Sequence, residues 1–254
     1  MIINNKPLVS ILMNSYNSES HIEHAINSVL SQTYKNWELI IWDNCSIDSS
    51  ISIIDKFRKK DQRIKLYTAK KHTDLGNARS LAWKYLRGKY LAILDTDDYF
   101  EDKKIEIQVH CLEKNLKYGI CFSNTIYFNE KKNYPLYKKN PPVSEGISRL
   151  IEKYYISLGS VLINLDKAKK NNLSFDGYFS HIADFDLIIK LASKEKIIYV
   201  DSILSGWRLR STSLTWTNQD QFYKELIKWT NENLKNNDLN IYSSSLIKLK
   251  KRSI

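Results

Sequence analysis

The first 120 residues alternate between short apolar runs and segments whose apolar residues recur at helical spacing, and few folds accommodate that pattern. Leu8 to Met13, Glu38 to Trp42, Ile64 to Tyr67 and Tyr90 to Leu94 read as strands. Between them, Ile22, Ala25, Ile26, Val29 and Leu30 share one helical face within 19–31, and Asp48 is placed to cap a helix carrying Ile51, Ile54 and Phe57. Residues 76–87 place Ala78, Leu81, Ala82, Tyr85 and Leu86 on one stripe, and Ile105, Val109, Leu112 and Leu116 align on another. A β-α-β-α series of this kind predicts a mostly parallel sheet wrapped by helices. Ligands of such sheets bind beyond the carboxyl ends of the strands, where Asn14 to Asn17, Asp43 and Asp95 to Asp98 all fall.

The run Asp95-Thr96-Asp97-Asp98 directly follows an apolar strand. Residues two apart on an extended chain point to the same side, so Asp95 and Asp97 can face one pocket. Side-by-side carboxylates repel unless a cation lies between them, and a hard divalent ion with open positions for phosphate oxygens meets that need. The alternative makes Asp98 an N-cap for a following helix and leaves the other two solvated. Spacing alone leaves both readings open.

The 254-residue chain is 43% hydrophobic, enough for a globular core, and holds no apolar run near the roughly 20 residues that span a bilayer. Its N-terminus lacks the basic and apolar regions of a signal peptide. Cys45, Cys111 and Cys121 are odd in number and show no metal spacing, as expected of reduced thiols in the cytoplasm. A formal charge of +11 calls for an anionic partner, but the lysines are dispersed, and a nucleic-acid binder would leave the carboxylates at the strand ends unexplained.

Past residue 123 the pattern loosens. Residues 129–142 read as a long Lys-rich loop, 145–155 as a helix, Val161 to Ile163 as a strand, and 184–193 as a helix after the turn Phe175-Asp176-Gly177-Tyr178. Ile197 to Val200 and Ile203 to Leu209 read as two further strands, and 219–234 as a last helix before the basic end Lys248, Lys250, Lys251, Arg252. That end suits either contact with an anionic membrane or a fraying helix.

In this order the motifs resemble those of the family 2 glycosyltransferases of the GT-A fold, over residues from about 7 to 213. Val9 to Asn17 resembles the opening strand and loop, with Asn14 and Ser15 where Pro and Thr are usual. The stretch from Ser28 through Gln32-Thr33-Tyr34 to Ile41 is the most specific match, since no simple physical constraint forces those residues there. Asp43-Asn44-Cys45-Ser46-Ile47-Asp48 matches the aspartate loop with Cys45 in place of a common Gly, and Ala78-Arg79-Ser80 and Asp95 to Asp98 complete the nucleotide half. The resemblance implies that Ser15 and Tyr16 line the nucleobase pocket and that Asp43 accepts a hydrogen bond from uracil. It further implies that Asp95 holds the ribose, that Asp97 binds Mn²⁺ or Mg²⁺ bridging the diphosphate, and that Arg79 supports the diphosphate or Asp95.

In the second half, Asp184 stands where the resemblance places the general base of inverting members. Read from the residues alone, Asp184 caps the helix it starts, with Asp186 a second acid in its first turn. Two departures stand out. Ala183 replaces a usual Glu, and in Trp207-Arg208-Leu209-Arg210-Ser211-Thr212-Ser213 the residue Arg210 replaces a usual His. Arginine has no lone pair for a metal, but it can pair with diphosphate oxygens.

The expectation is an α/β GT-A-type domain over 1–216, with a nucleotide-sugar half at about 7–125 and an acceptor half at about 126–216, followed by a basic helical tail at 217–254. Its expected activity is inverting, metal-dependent sugar transfer from a nucleotide-sugar donor, UDP-linked, to a hydroxyl on a glycan or lipid-linked glycan in bacterial surface polysaccharide synthesis. The expected location is cytoplasmic, with peripheral contact at the inner membrane face and no nucleic acid partner. A catalytically degenerate nucleotide-sugar binding module is one rival. A nucleotidyltransferase is another, although its usual Gly-rich loop is missing from Leu8 to Asn17.

Overall fold

The structure, a computed structural model, describes residues 6–210, 218–235 and 238–253. Its first half alternates as the apolar pattern predicts: β1 (Val9–Ser15), α1 (Ile22–Leu30), β2 (Trp37–Asp43), α2 (Ser50–Arg58), β3 (Ile64–Thr68), α3 (Leu75–Ala82) and β4 (Tyr90–Ile93). There follow β5 (Tyr99–Phe100), α4 (Lys104–Lys114), β6 (Tyr118–Phe128), β7 (Asn133–Pro135), α5 (Gly146–Glu152), β8 (Val161–Asn164) and α6 (Leu165–Lys170). The described elements end with α7 (Ala183–Lys194), β9 (Lys196–Arg208), α8 (Gln219–Lys235) and α9 (Ser243–Arg252).

One mixed sheet runs β3-β2-β1-β4-β8-β6-β9-β5, with β7 hydrogen-bonded to β6. β1 to β4 pair in parallel, β8 runs antiparallel to both β4 and β6, and β9 returns parallel to β6. Period-two alternation divides each strand between two cores. Val9, Ile11 and Met13 of β1 pack with α1, α2 and α4 on one face, while Leu12 joins Ile93, Leu150, Ile188, Trp229 and Leu249 from the opposite layer.

Several sequence expectations need correction. The two strands expected at 197–200 and 203–209 are one continuous strand, β9, which bulges against β6 near Ser123 and Asn124. The loop expected at 129–142 contains the short hairpin partner β7, and β6 extends well beyond residue 123. The helix expected at 76–87 ends at Ala82 and tightens into a 3₁₀ turn, Trp83–Tyr85. The first residue outside α2 is Ser49 rather than Asp48, whose carboxylate accepts the Ser50 and Glu19 amides. Asp98 caps no helix either: α4 begins at Lys104, and Asp98 accepts the Arg208 amide at 2.9 Å.

Two devices hold the sheet to the site. Gly76 lets α3 lie directly on the segment before α7, since a Cβ there would come within 1.7 Å of the Phe179 carbonyl oxygen. On the other side, fully buried Lys104 donates to Gln108 Oε1 and the Val161 carbonyl, and Gln108 donates to the Ser160 carbonyl. This clamp fixes the turn Leu158–Ser160 against α4.

Candidate functional site

The carboxyl ends of β1 and β4 open onto one cavity of about 850 Å³. The loop after β1 is tied down from both sides. Asn17, with φ of 48°, donates its amide to Ser46 Oγ and accepts the Ile47 amide on Oδ1, while Thr96 Oγ1 donates to Ser18 Oγ. Cys45 sits at φ of 67°, a left-handed conformation that explains why glycine suits this position. Asp43 is fully buried at the end of β2; its Oδ2 accepts the Ser46 amide, and its Oδ1 has no partner among the described residues. The Asn14 amide and Ser15 hydroxyl are buried and equally unpartnered. Unpaired buried polar groups cost folding free energy, so a cluster of them at strand ends points to a ligand that satisfies them.

The expected site residues fall in three groups. Tyr16, Arg79, Asp95, Asp97, Asp184 and Arg210 all line the cavity. Ser15 and Asp43 are buried side by side in the β1–β2 register and do not line it. Ser211, Thr212 and Ser213, part of the late motif, lie outside the described residues. Tyr16 is half exposed and rests against His72, their ring centroids 4.2 Å apart.

Two ion pairs organise the acidic turn. Arg79, on α3, is 4% exposed and donates to Asp95 Oδ1 at 3.0 Å, while its Nε is buried without a partner. Arg210 holds Asp97 Oδ2 at 2.6 Å. Arg208 reinforces the turn from below: its Nε donates to the Asp97 carbonyl, its amide donates to Asp98, and its guanidinium lies over the Phe128 ring. Burial and the neighbouring Asp95 push the Asp97 carboxyl above its usual range, and the Arg210 cation opposes them. Asp98 is pushed up further, by burial and then by Asp97 and Asp95.

Asp184 enters from the first turn of α7. It is not the N-cap residue: that position is Ile182, which gives no side-chain cap. Burial raises its pKa, and the Arg79 guanidinium is the main influence holding it down. One cation therefore faces carboxylates from both halves of the chain. Asp186 points away from the site: its Oδ1 accepts from Trp229 Nε1 at 2.7 Å and pairs with Lys190, a structural tie between α7 and α8. Trp37 and Trp42 are core residues, and Trp207 lines the cavity.

Sequence reasoning missed the far wall. Phe222 and Leu226 of α8 and Leu249 and Arg252 of α9 line the same cavity, with Tyr154 after α5 and His181 before α7. The only signal in the sequence was the apolar stripe of 219–235, which marks a buried face but not what it faces. The basic residues of α9 lie at the surface, three of them tied to neighbours: Lys248 pairs with Glu152, Arg252 donates to the Glu152 carbonyl and Lys250 to Asn231. Among the described residues no helix is long and apolar enough to cross a membrane.

The divalent metal implied by the resemblance can be tested against these atoms. Among the described residues no three His, Cys, Asp or Glu side chains converge as a metal cage. A magnesium-type ion needs only one or two carboxylates when substrate phosphates supply the remaining oxygens. Asp97 fits that role, and the guanidinium at its Oδ2 already shows that this carboxylate draws a cation.

The sequence pattern described as "Glycosyl transferase family 2" matches residues 10–174. An Escherichia coli relative, UDP-Glc:alpha-D-GlcNAc-diphosphoundecaprenol beta-1,3-glucosyltransferase WfgD, is 33% identical over 82% of this chain and 79% of its own length. An uncharacterized glycosyltransferase of Rickettsia conorii is 34% identical over 96% of this chain, which spans only 40% of that longer protein. Among solved structures, S. aureus TarS (residues 1–349) in complex with UDP-GlcNAc superposes with a TM-score of 0.77 at 18% identity, covering 96% of this chain and 72% of that one. Fold, motif order and these matches agree: the chain belongs to glycosyl transferase family 2.

Proposed function

We propose that the protein transfers a sugar from a UDP-sugar to a hydroxyl of a glycan or lipid-linked glycan, with inversion at the anomeric carbon. The observation that carries this reading is the convergence of unpartnered buried polar atoms of Asn14, Ser15 and Asp43 with two arginine–carboxylate pairs at the strand ends. WfgD acts on a UDP-glucose donor and a GlcNAc-diphosphoundecaprenol acceptor, which makes bacterial surface polysaccharide assembly the setting to test first.

In this reading Asp43 Oδ1 accepts a hydrogen bond from the uracil, Ser15 and Tyr16 frame the base, and Asp95 holds the ribose. Asp97 would hold Mn²⁺ or Mg²⁺, which when bound neutralises charge on the departing diphosphate. Arg79 and Arg210 place two further cations where that charge grows. Asp184 takes the proton from the acceptor hydroxyl as its oxygen attacks the anomeric carbon. The new carbon–oxygen bond forms on the face opposite the breaking bond to diphosphate, and UDP leaves. The tail at 217–254 serves the acceptor half, at or near the inner membrane face.

Calorimetry of UDP with and without Mn²⁺, on the wild type and Asp97→Asn, with GDP and dTDP as competitors, tests the donor site. Metal-enhanced, UDP-selective binding that is lost in Asp97→Asn supports the proposal. Absence of nucleotide binding under every metal condition refutes it. Buried Ala183 and the Arg210–Asp97 pair favour a second reading, a binding module without turnover. UDP binding with no UDP-sugar turnover would select it.

A further inference from the structure

Ala183 leaves the position before Asp184 without a carboxylate, but a carboxylate from elsewhere in the chain holds the segment before α7. Glu225, on α8 and 3% exposed, reaches the segment before α7, where its Oε2 accepts the amides of Ser180, His181 and Ile182 at 3.1, 2.9 and 3.3 Å. Its Oε1 lies 3.4 Å from His181 Nδ1 and accepts from Gln221. A carboxylate offers only lone pairs, so Nδ1 must carry the proton in this contact. In the neutral ring, Nε2 is then a bare hydrogen-bond acceptor. The His181 side chain is 8% exposed and lines the cavity, and its Nε2 is buried with no partner among the described residues. Tyr154 lines the same cavity, packs edge-on against Phe185, and carries a second buried, unpartnered polar atom, its hydroxyl. Neither Nε2 of His181 nor the Tyr154 hydroxyl has a hydrogen-bond partner among the described residues, and each raises the cost of folding.

We propose that His181 Nε2 and the Tyr154 hydroxyl bind hydroxyls of the acceptor sugar beside Asp184, with Glu225 as the positioning residue that fixes the His181 tautomer. The acceptor class is a pyranoside with hydroxyls flanking the one that attacks: His181 receives a hydrogen bond from one, and Tyr154 donates to or receives from another. Phe185 and Phe222 supply apolar wall on the same side of the cavity. The inference rests on the reading of Asp184 as the acceptor-side base.

The test is a titration of the full chain, with and without saturating UDP, using methyl N-acetyl-α-glucosaminide and methyl β-glucoside as probes. The imidazole ¹⁵N resonances of His181 are the readout, assigned by their loss in His181→Gln. Nε2 is expected to resonate as an unprotonated nitrogen in the wild type and to shift as glycoside is added. Tyr154→Phe is expected to weaken that response about tenfold while leaving Tm unchanged or raised, because the hydroxyl it removes is unpaired. Glu225→Gln presents an amide N–H to Nδ1 and is expected to move the proton to Nε2 and abolish the response, an effect that a purely structural role for Glu225 would not produce. A wild-type His181 protonated on Nε2, or one that ignores both glycosides, overturns the proposal. Loss of UDP binding alone counts against the donor site and leaves this result to be judged by the titration without UDP.

Discussion

Replacing Arg79 with methionine removes a cation that pairs with Asp95 and also holds down the pKa of Asp184. Arg79 Nη2 is 3.0 Å from Asp95 Oδ1, with side chains 5% and 39% exposed. Unscreened, unit charges at that separation attract by about 5 kcal/mol in an effective dielectric of about 20. Because Asp95 is more than a third exposed, water reduces the net loss to about 1–2 kcal/mol of stability. The larger consequence falls on Asp184, which burial already pushes above the 3.8 of an ordinary aspartate and which Arg79 chiefly restrains. Without that restraint its pKa rises further, which disfavours the ionised carboxylate. In the proposed reading Asp184 must be ionised to accept a proton, so the acid limb of UDP release from a turned-over UDP-sugar is expected to move upward. Rates would fall below the new limb and recover above it, while Arg79→Lys, which keeps a cation there, is expected to show a smaller shift. An Arg79→Met enzyme with an unmoved acid limb, folded and still binding UDP, would refute the link between Arg79 and the base.

Arg210→Ala should barely change Tm, since Arg210 is 42% exposed, yet weaken metal-free UDP binding by about tenfold and strengthen Mn²⁺ binding to the nucleotide-free protein; calorimetry reads both. Burial lowers the Lys104 pKa to about 7 from 10.5, so the unfolded chain binds the extra proton between those values and stability is expected to rise with pH across that window. Lys104→Met should flatten that rise in urea melts, and an unchanged slope would exclude Lys104 as its source. At Cys45, with φ of 67°, glycine is expected to be more stable than alanine by about 1 kcal/mol, a reversal of the usual order that differential scanning would detect.

The parallel half of the fold was legible because each strand ends its apolar run in polar residues and each helix repeats its apolar face every three or four positions. Asp43, Asp95 and Asp97 could be grouped from sequence for the same reason: parallel strands bring their carboxyl ends to one edge. The second half was less legible. β9 reads as two strands because Asp201 and Ser202 interrupt its hydrophobic run, yet they form a bulge and the strand pairs with β6 on both sides of them. The 129–142 loop hides β7, whose short run carries no periodicity and forms only against β6.

The sequence by itself determined the doubly faced sheet, the acidic turn at its edge and the family motifs, all of which depend on local periodicity and strand direction. Tertiary structure alone decided which cation meets which carboxylate. Arg79 reaches both Asp95 and the surroundings of Asp184 because Gly76 lets α3 touch the segment before α7, and Arg210 reaches Asp97 because β9 ends beside β5. Glu225 likewise crosses from α8 to cap amides 44 residues away from it at His181. Charge pairing of this kind depends on distance in space, and no periodicity along the chain encodes it.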